Sequence, residues 1–113
     1  MRRVFVDTSA LFALLVAGDG AHPRAREAFA RLAAEEAPLV TTSYVLVETY
    51  ALLGRRVGLD AVRAFRQDLA PLLSVVWVDA EIHDRALDEL LRRTQRDLSL
   101  VDLVSFEVIR EQQ

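Results

Sequence analysis

Three short β-branched segments, Val4 to Val6, "PLVTT" at Pro38 to Thr42 and "SVVWV" at Ser74 to Val78, are separated each time by two helical patterns. That spacing restricts the topology of this chain more than any other feature. Strands joined through helices need crossover connections, crossovers join parallel neighbours, and a parallel sheet is buried beneath helices on both faces. The expected helices are Ser9 to Val16, "HPRAREAFARLAAEEA" from His22, Ser43 to Arg55, Asp60 to Leu69, Ala80 to Arg96 and Ser99 to Arg110. Pro23 suits the first turn of the second, with Ala28, Leu32 and Ala33 on one stripe. Gly54 or Gly58 is expected to end the third. The reading is a three-layer α/β fold.

With 113 residues, 52% of them hydrophobic, the chain is long enough for one core and too short for two, so one domain over 1–113 is expected. A net charge of -3 argues against wrapping duplex DNA by charge alone and leaves room for a local nucleic-acid site. All 14 basic residues are arginine and there is no Cys. Lysine nucleophiles, Schiff bases, disulfides and thiolate metal sites are therefore excluded. Arg2 and Arg3 followed by apolar residues imitate a secretory leader, but Asp7, Thr8 and Ser9 interrupt it. The run from Ala10 to Ala17 falls far short of the roughly 18 residues of a membrane span. A cytoplasmic protein without membrane attachment is expected.

Most of the 17 acidic residues, such as Glu27, Glu35, Glu36, Asp88 and Glu89, lie among arginines on polar helix faces. Three stand in apolar company instead: Asp7 in "VFVDTSALF", Glu48 in "YVLVETYALL" and Asp102 in "LSLVDLVSF". Each has an ordinary structural explanation. Asp7 can favour the N-terminus of the next helix through its dipole. Ser99 and Asp102 have the spacing of a capping box. Glu48 shares a helical stripe with Val45 and Leu52, so it faces inward, paired with an arginine, or lines a cleft floor.

A single arrangement also accounts for all three. In open parallel sheets the site lies beyond the carboxyl ends of the strands, where Asp7 stands. With the first strand central, its end, the third helix and the first turn of the last helix converge on one cleft. Carboxylates crowded within a few ångströms cannot all remain ionised without a cation. An all-oxygen ligand set favours Mg2+ or Mn2+ over zinc.

These residues, in this order, resemble the PIN-domain ribonucleases, and among them the VapC-type toxins of bacterial and archaeal toxin-antitoxin pairs. The matching stretches are "VFVDTSALFALL", "TTSYVLVETYALL" and "RDLSLVDLVSFEVIRE". The resemblance implies a three-layer PIN-like fold and a Mg2+- or Mn2+-dependent endoribonuclease. Such proteins cut single-stranded or loop RNA, usually as a homodimer restrained by a cognate antitoxin. It makes Asp7, Glu48 and Asp102 the metal-binding, catalytic carboxylates. Thr8 or Ser9 would stand beside the metal, where a hydroxyl orients a ligand or phosphate oxygen, unless they only cap the helix; Ser105 would support the same cleft. The family pattern continues past the last helix into a further strand, commonly with a fourth acidic residue, where this chain ends in "VIREQQ". The expectation is therefore a domain shortened at its C-terminus, without the family's C-terminal strand or strands. It would lack the fourth carboxylate and leave one side of the first strand open. Asp97 reads as a loop charge and not as a substitute.

Arg55, Arg56, Arg92, Arg93 and Arg96 are candidates for phosphate contact, because guanidinium forks suit phosphate oxygens, or else are solvated helix ends. Phe12, Leu15, Phe65 and Leu69 read as core, or as part of a dimer or antitoxin groove. The alternative function is a catalytically weak or inactive PIN-like module that dimerises or binds a partner. A phosphoacceptor receiver domain lacks the lysine it would need, and no G-x-G-x-x-G follows any strand.

Overall fold

The computed structural model describes residues 3–112. Met1 and Arg2, at the basic start of the chain, and Gln113, at the end of the expected domain, lie outside the described residues. Three strands, β1 (Val4–Phe5), β2 (Leu39–Thr42) and β3 (Leu73–Val76), form a sheet in the order β1-β2-β3, both pairs parallel. Val4 lies opposite Leu39, Leu39 opposite Leu73 and Thr42 opposite Val76. The parallel sheet follows the expectation from connectivity, with one correction: β2 is the central strand and β1 is paired on one side only among the described residues. The central strand is the one whose buried polar groups are all answered. Thr41 and Thr42 are fully buried. The Thr41 hydroxyl donates to the Val6 carbonyl at 2.8 Å, and Thr42 Oγ1 accepts from the Val45 amide at 3.1 Å. A buried hydroxyl without such a partner would be costly.

Six helices surround the sheet: α1 (Thr8–Leu15), α2 (His22–Ala34), α3 (Ser43–Arg56), α4 (Leu59–Ala64), α5 (Ala80–Arg92) and α6 (Leu100–Gln112). Successive strand residues point to opposite faces, and Val75 and Val76 accordingly join two separate apolar clusters. One cluster packs α1, α3 and the segment after α4 around Leu11, Val45, Leu53 and Phe65. The other packs α5 against α6 through Ile82, Ala86, Val104 and Val108. The sheet is thus covered on both sides, as a three-layer α/β fold requires. Phe12, Phe65 and Leu69 are core residues; Leu15 is half-buried.

Helices α1, α2, α3 and α6 differ from their expected limits by up to three residues, α2 ending at Ala34, and two helices change more. The segment Asp60 to Leu69 is not one helix: α4 stops at Ala64, a π turn covers Phe65–Leu69, and a 3-10 turn covers Ala70–Leu72. The wide bond from the Ala70 amide to the Phe65 carbonyl accommodates this change of pitch just before Pro71. Helix α5 stops at Arg92 and not at Arg96, because the packed apolar stripe ends at Leu90 and Arg93 turns extended, with its guanidinium on Asp97 at 3.0 Å. On the far side, Arg85 bridges α5 to α6 through Glu107 and Glu111. Burial raises the Glu107 pKa, but hydrogen bonds from Arg110 and Arg85 outweigh it and hold the carboxyl below its ordinary value.

Gly58, not Gly54, ends α3. Its amide donates to the Leu53 carbonyl at 2.9 Å, and its backbone lies at φ 131°, ψ 173°, a region essentially reserved for glycine. A Cβ there would meet nothing within 4 Å, so the cost of substitution is one of backbone strain alone. Gly58→Ala is expected to destabilise the fold by about 1–3 kcal/mol, read from urea unfolding. A change within a few tenths of a kcal/mol would mean that this turn relaxes freely.

Candidate functional site

The chain leaves β1 through the buried Val6 and reaches Asp7 at the carboxyl edge of the sheet. Asp7 is the N-cap of α1: its Oδ1 accepts from the Ala10 amide and from the Ser9 hydroxyl, both at 3.0 Å. Capping is therefore the work of Asp7 and not of Thr8 or Ser9. Ser9 helps to orient the carboxylate. Thr8 is buried and its Oγ1 has no hydrogen-bond partner, an orphaned oxygen of the kind that calls for a ligand or water.

Helix α3 starts directly from the end of β2, capped by Thr42, and Ser43 Oγ accepts the Val78 amide at 3.0 Å, tying α3 to the exit of β3. Its second turn carries Glu48. Of the two readings of Glu48, facing inward or lining a cleft, the structure has the second: it is exposed, makes no ion pair among the described residues, and lines the cleft together with Val45. Asp102 lies in the first turn of α6, which packs against α3 and β2. Its Oδ2 accepts the Ser99 amide at 2.9 Å while its own amide donates to Ser99 Oγ at 3.2 Å, a reciprocal capping box. One turn later Ser105 is buried, its hydroxyl donating to the Val101 carbonyl at 3.0 Å.

Asp7, Thr8, Ser9, Glu48, Asp102 and Ser105 all line one cavity of about 230 Å³, which has three carboxylates and no basic side chain on its walls. The crowding expected of the carboxylates is looser than anticipated. Among the described residues no three acidic, His or Cys side chains stand close enough to clasp one ion directly. One reason is local: one oxygen each of Asp7 and Asp102 is turned to a helix N-terminal amide. The donor set still fits a hard divalent ion. Mg2+ keeps several of its waters and needs only one or two direct carboxylates. The second oxygens of Asp7 and Asp102, the Glu48 carboxylate and the Thr8 hydroxyl are the oxygens available to it.

The candidate arginines divide. Arg92 is paired with Glu89 at 2.7 Å and Arg93 with Asp97, whose carboxyl the Arg93 hydrogen bond holds below its usual range. Asp97 does not line the cleft. Arg55 and Arg96 are exposed, and Arg56 lies over the Phe12 ring, 5.7 Å from its centroid. Arg24, on α2, shares a groove with Arg56 beside the cleft. No local pattern in the sequence marks it, because only the packing of α2 on α1 brings it there.

A family model described as PIN domain matches residues 4–112. The chain is 42% identical over 110 residues to the 23S rRNA-specific endonuclease VapC20 of Mycobacterium tuberculosis, in each of two strains, covering 96% of this chain and 81% of that protein. The crystal structure of Mycobacterium tuberculosis VapC20, described as a Sarcin-Ricin loop cleaving toxin, superposes with a TM-score of 0.80 at 40% identity, over 96% of this chain and 82% of that one.

Proposed function

Since the chain belongs to the PIN-domain family, beside the VapC-type endonuclease it is similar to, we propose that it is a Mg2+- or Mn2+-dependent endoribonuclease acting as the toxin of a toxin-antitoxin pair. The observation that carries this reading is the meeting of Asp7, Glu48 and Asp102, from three separate elements, on the wall of one cavity at the carboxyl edge of the sheet. The endonuclease activity of the relative favours turnover over the alternative of a silent partner-binding module.

In this reading Asp7, Glu48 and Asp102 would hold the ion. Bound there, it would supply water activation and offset negative charge on the phosphate. Ser9, bonded to Asp7 Oδ1, keeps that carboxylate oriented toward the cleft. The Thr8 hydroxyl, lacking a partner, is placed to donate to a phosphate oxygen or a bound water. No side-chain nucleophile is needed, and no His or Lys lines the cavity to activate its hydroxyls. Three carboxylates repel a polyanion, so a bound ion would also strengthen RNA binding.

The proposed partners are RNA, a cognate antitoxin and a second copy of the chain. The exposed Trp77, Leu91 and Val47 supply apolar surface for the protein partners. Among the described residues no helix is long and apolar enough to cross a membrane, and a cytoplasmic location is proposed with the RNA substrate. The test is incubation of purified protein with ribosomal RNA, with Mg2+, with Mn2+ and with chelator. Discrete fragments are expected with either ion and none with chelator. Cleavage that survives chelation would overturn the metal assignment, and intact RNA under every condition would overturn the nuclease.

A further inference from the structure

Beside the acidic cleft lies a second, larger and open groove of about 540 Å³, bordered by α1, α2 and α3, and the two share Ser9 and Leu52 as walls. Its floor is apolar, formed by Phe12 with alanines of α1 and α2, and its rim carries Arg24 and Arg56. The size lies within the range of about 300–1,000 Å³ typical of small-molecule pockets. Resting on the nuclease reading, we propose that this groove is a subsite for the nucleotide flanking the scissile phosphodiester. Arg24 and Arg56 hold its phosphate, and its unstacked base lies on the alanine-lined floor beside Phe12.

The charge distribution supports this occupant. The cleft itself bears only carboxylates, so affinity for a polyanion must be supplied next to it. Arg63, Arg85, Arg92, Arg93 and Arg110 are spent on neighbouring carboxylates. Arg24 and Arg56 make no ion pair among the described residues and border a groove that shares walls with the cleft. The only acid on the groove, Asp19, is turned to the Ala21 amide at 2.8 Å. The Phe12 ring under the Arg56 guanidinium holds that fork over the groove, and a planar fork suits two phosphate oxygens better than a point charge does. Single strands are bound in this way elsewhere: cations follow the backbone while bases rest on apolar or aromatic surface.

The experiment measures binding of a fluorescent ribosomal-RNA-loop oligonucleotide against salt, in Mg2+, on an Asp7→Asn background to prevent cleavage. Arg24→Gln and Arg56→Gln are each expected to weaken binding about tenfold. Each should also reduce the slope of log affinity against log salt by about 0.7, the value for one lost phosphate contact on a single strand. Arg56→Lys should keep the slope and lose part of the affinity. It also guards against a packing defect at Phe12, as does an unchanged melting temperature. An unchanged slope in both glutamine variants overturns the subsite. RNA binding intact while a co-expressed antitoxin no longer co-purifies would assign the groove to a peptide and overturn it too. Cleavage by the protein with native Asp7, run in parallel, separates the two proposals: metal-dependent cleavage with unaltered slopes removes the subsite alone, whereas no cleavage removes both.

Discussion

Replacing Asp7 with asparagine is expected to slow RNA cleavage by about a thousandfold or more while leaving the fold intact. The substitution separates the two duties of this residue. Asparagine caps a helix as well as aspartate does, so the bond from the Ala10 amide to the side-chain oxygen survives, and α1 keeps its start. What is lost is the negative charge at the cleft, and with it an oxygen for the ion. A thousandfold corresponds to about 4 kcal/mol of transition-state stabilisation, within the several kcal/mol that a metal contributes in phosphoryl chemistry. Asp7→Ala would confuse this result, because removing the cap alone costs about 1 kcal/mol of stability. Glu48→Gln is the companion variant, since Glu48 makes no cap and no ion pair among the described residues. Asp102→Asn keeps an acceptor for the Ser99 amide. Single-turnover rates with a ribosomal RNA fragment, beside thermal melts, provide the measurement. Near-native rates in all three variants would remove these carboxylates from the chemistry.

The largest effect on stability is expected from Phe65→Ala, a loss of about 3–5 kcal/mol. Phe65 has no exposed surface and is the largest fully buried side chain among the described residues. Its ring meets Tyr50 of α3 at 5.4 Å between centroids and packs in the cluster that joins α1, α3 and the end of β3. It opens the π turn, whose backbone is pinned by the Ala70 amide, so the surroundings have little freedom to collapse into the space left behind. A domain of this size has about 5–15 kcal/mol in all, and the variant should unfold at far lower urea. The same helix carries Glu48 half a turn before Tyr50, so cleavage should fall at temperatures below the melt as α3 loosens. A loss under about 1.5 kcal/mol would show that this core repacks around the cavity.

Several elements were legible before any coordinates. The β-branched runs and their helical spacers led to a parallel, doubly covered sheet, because alternation and the 3.6-residue stripe are local consequences of backbone geometry. The capping box of Ser99 and Asp102 was legible too, since its two bonds span three residues. Other features were not. The expected end of α5 at Arg96 does not hold: without a packed apolar residue beyond Leu90, the Arg93–Asp97 pair prevails. The apolar stripe around Glu48 leaves open whether it faces inward or lines a cleft; Val45 and Leu52 pack into the core while Glu48 stands exposed at the cleft.

What the amino-acid order determined by itself is the set of elements, their parallel pairing and the three carboxylates exceptional among their neighbours. Each of these is a property of a few consecutive residues or of the connection between them. Tertiary structure alone decided that β2 and not β1 is central, and that Asp7, Glu48 and Asp102 face one cavity without clasping each other. It also decided that Arg24 and Arg56 border the adjoining groove. Those outcomes depend on which sheet register and which helix faces bury the most apolar surface together, a sum over contacts distant along the chain that no local pattern contains.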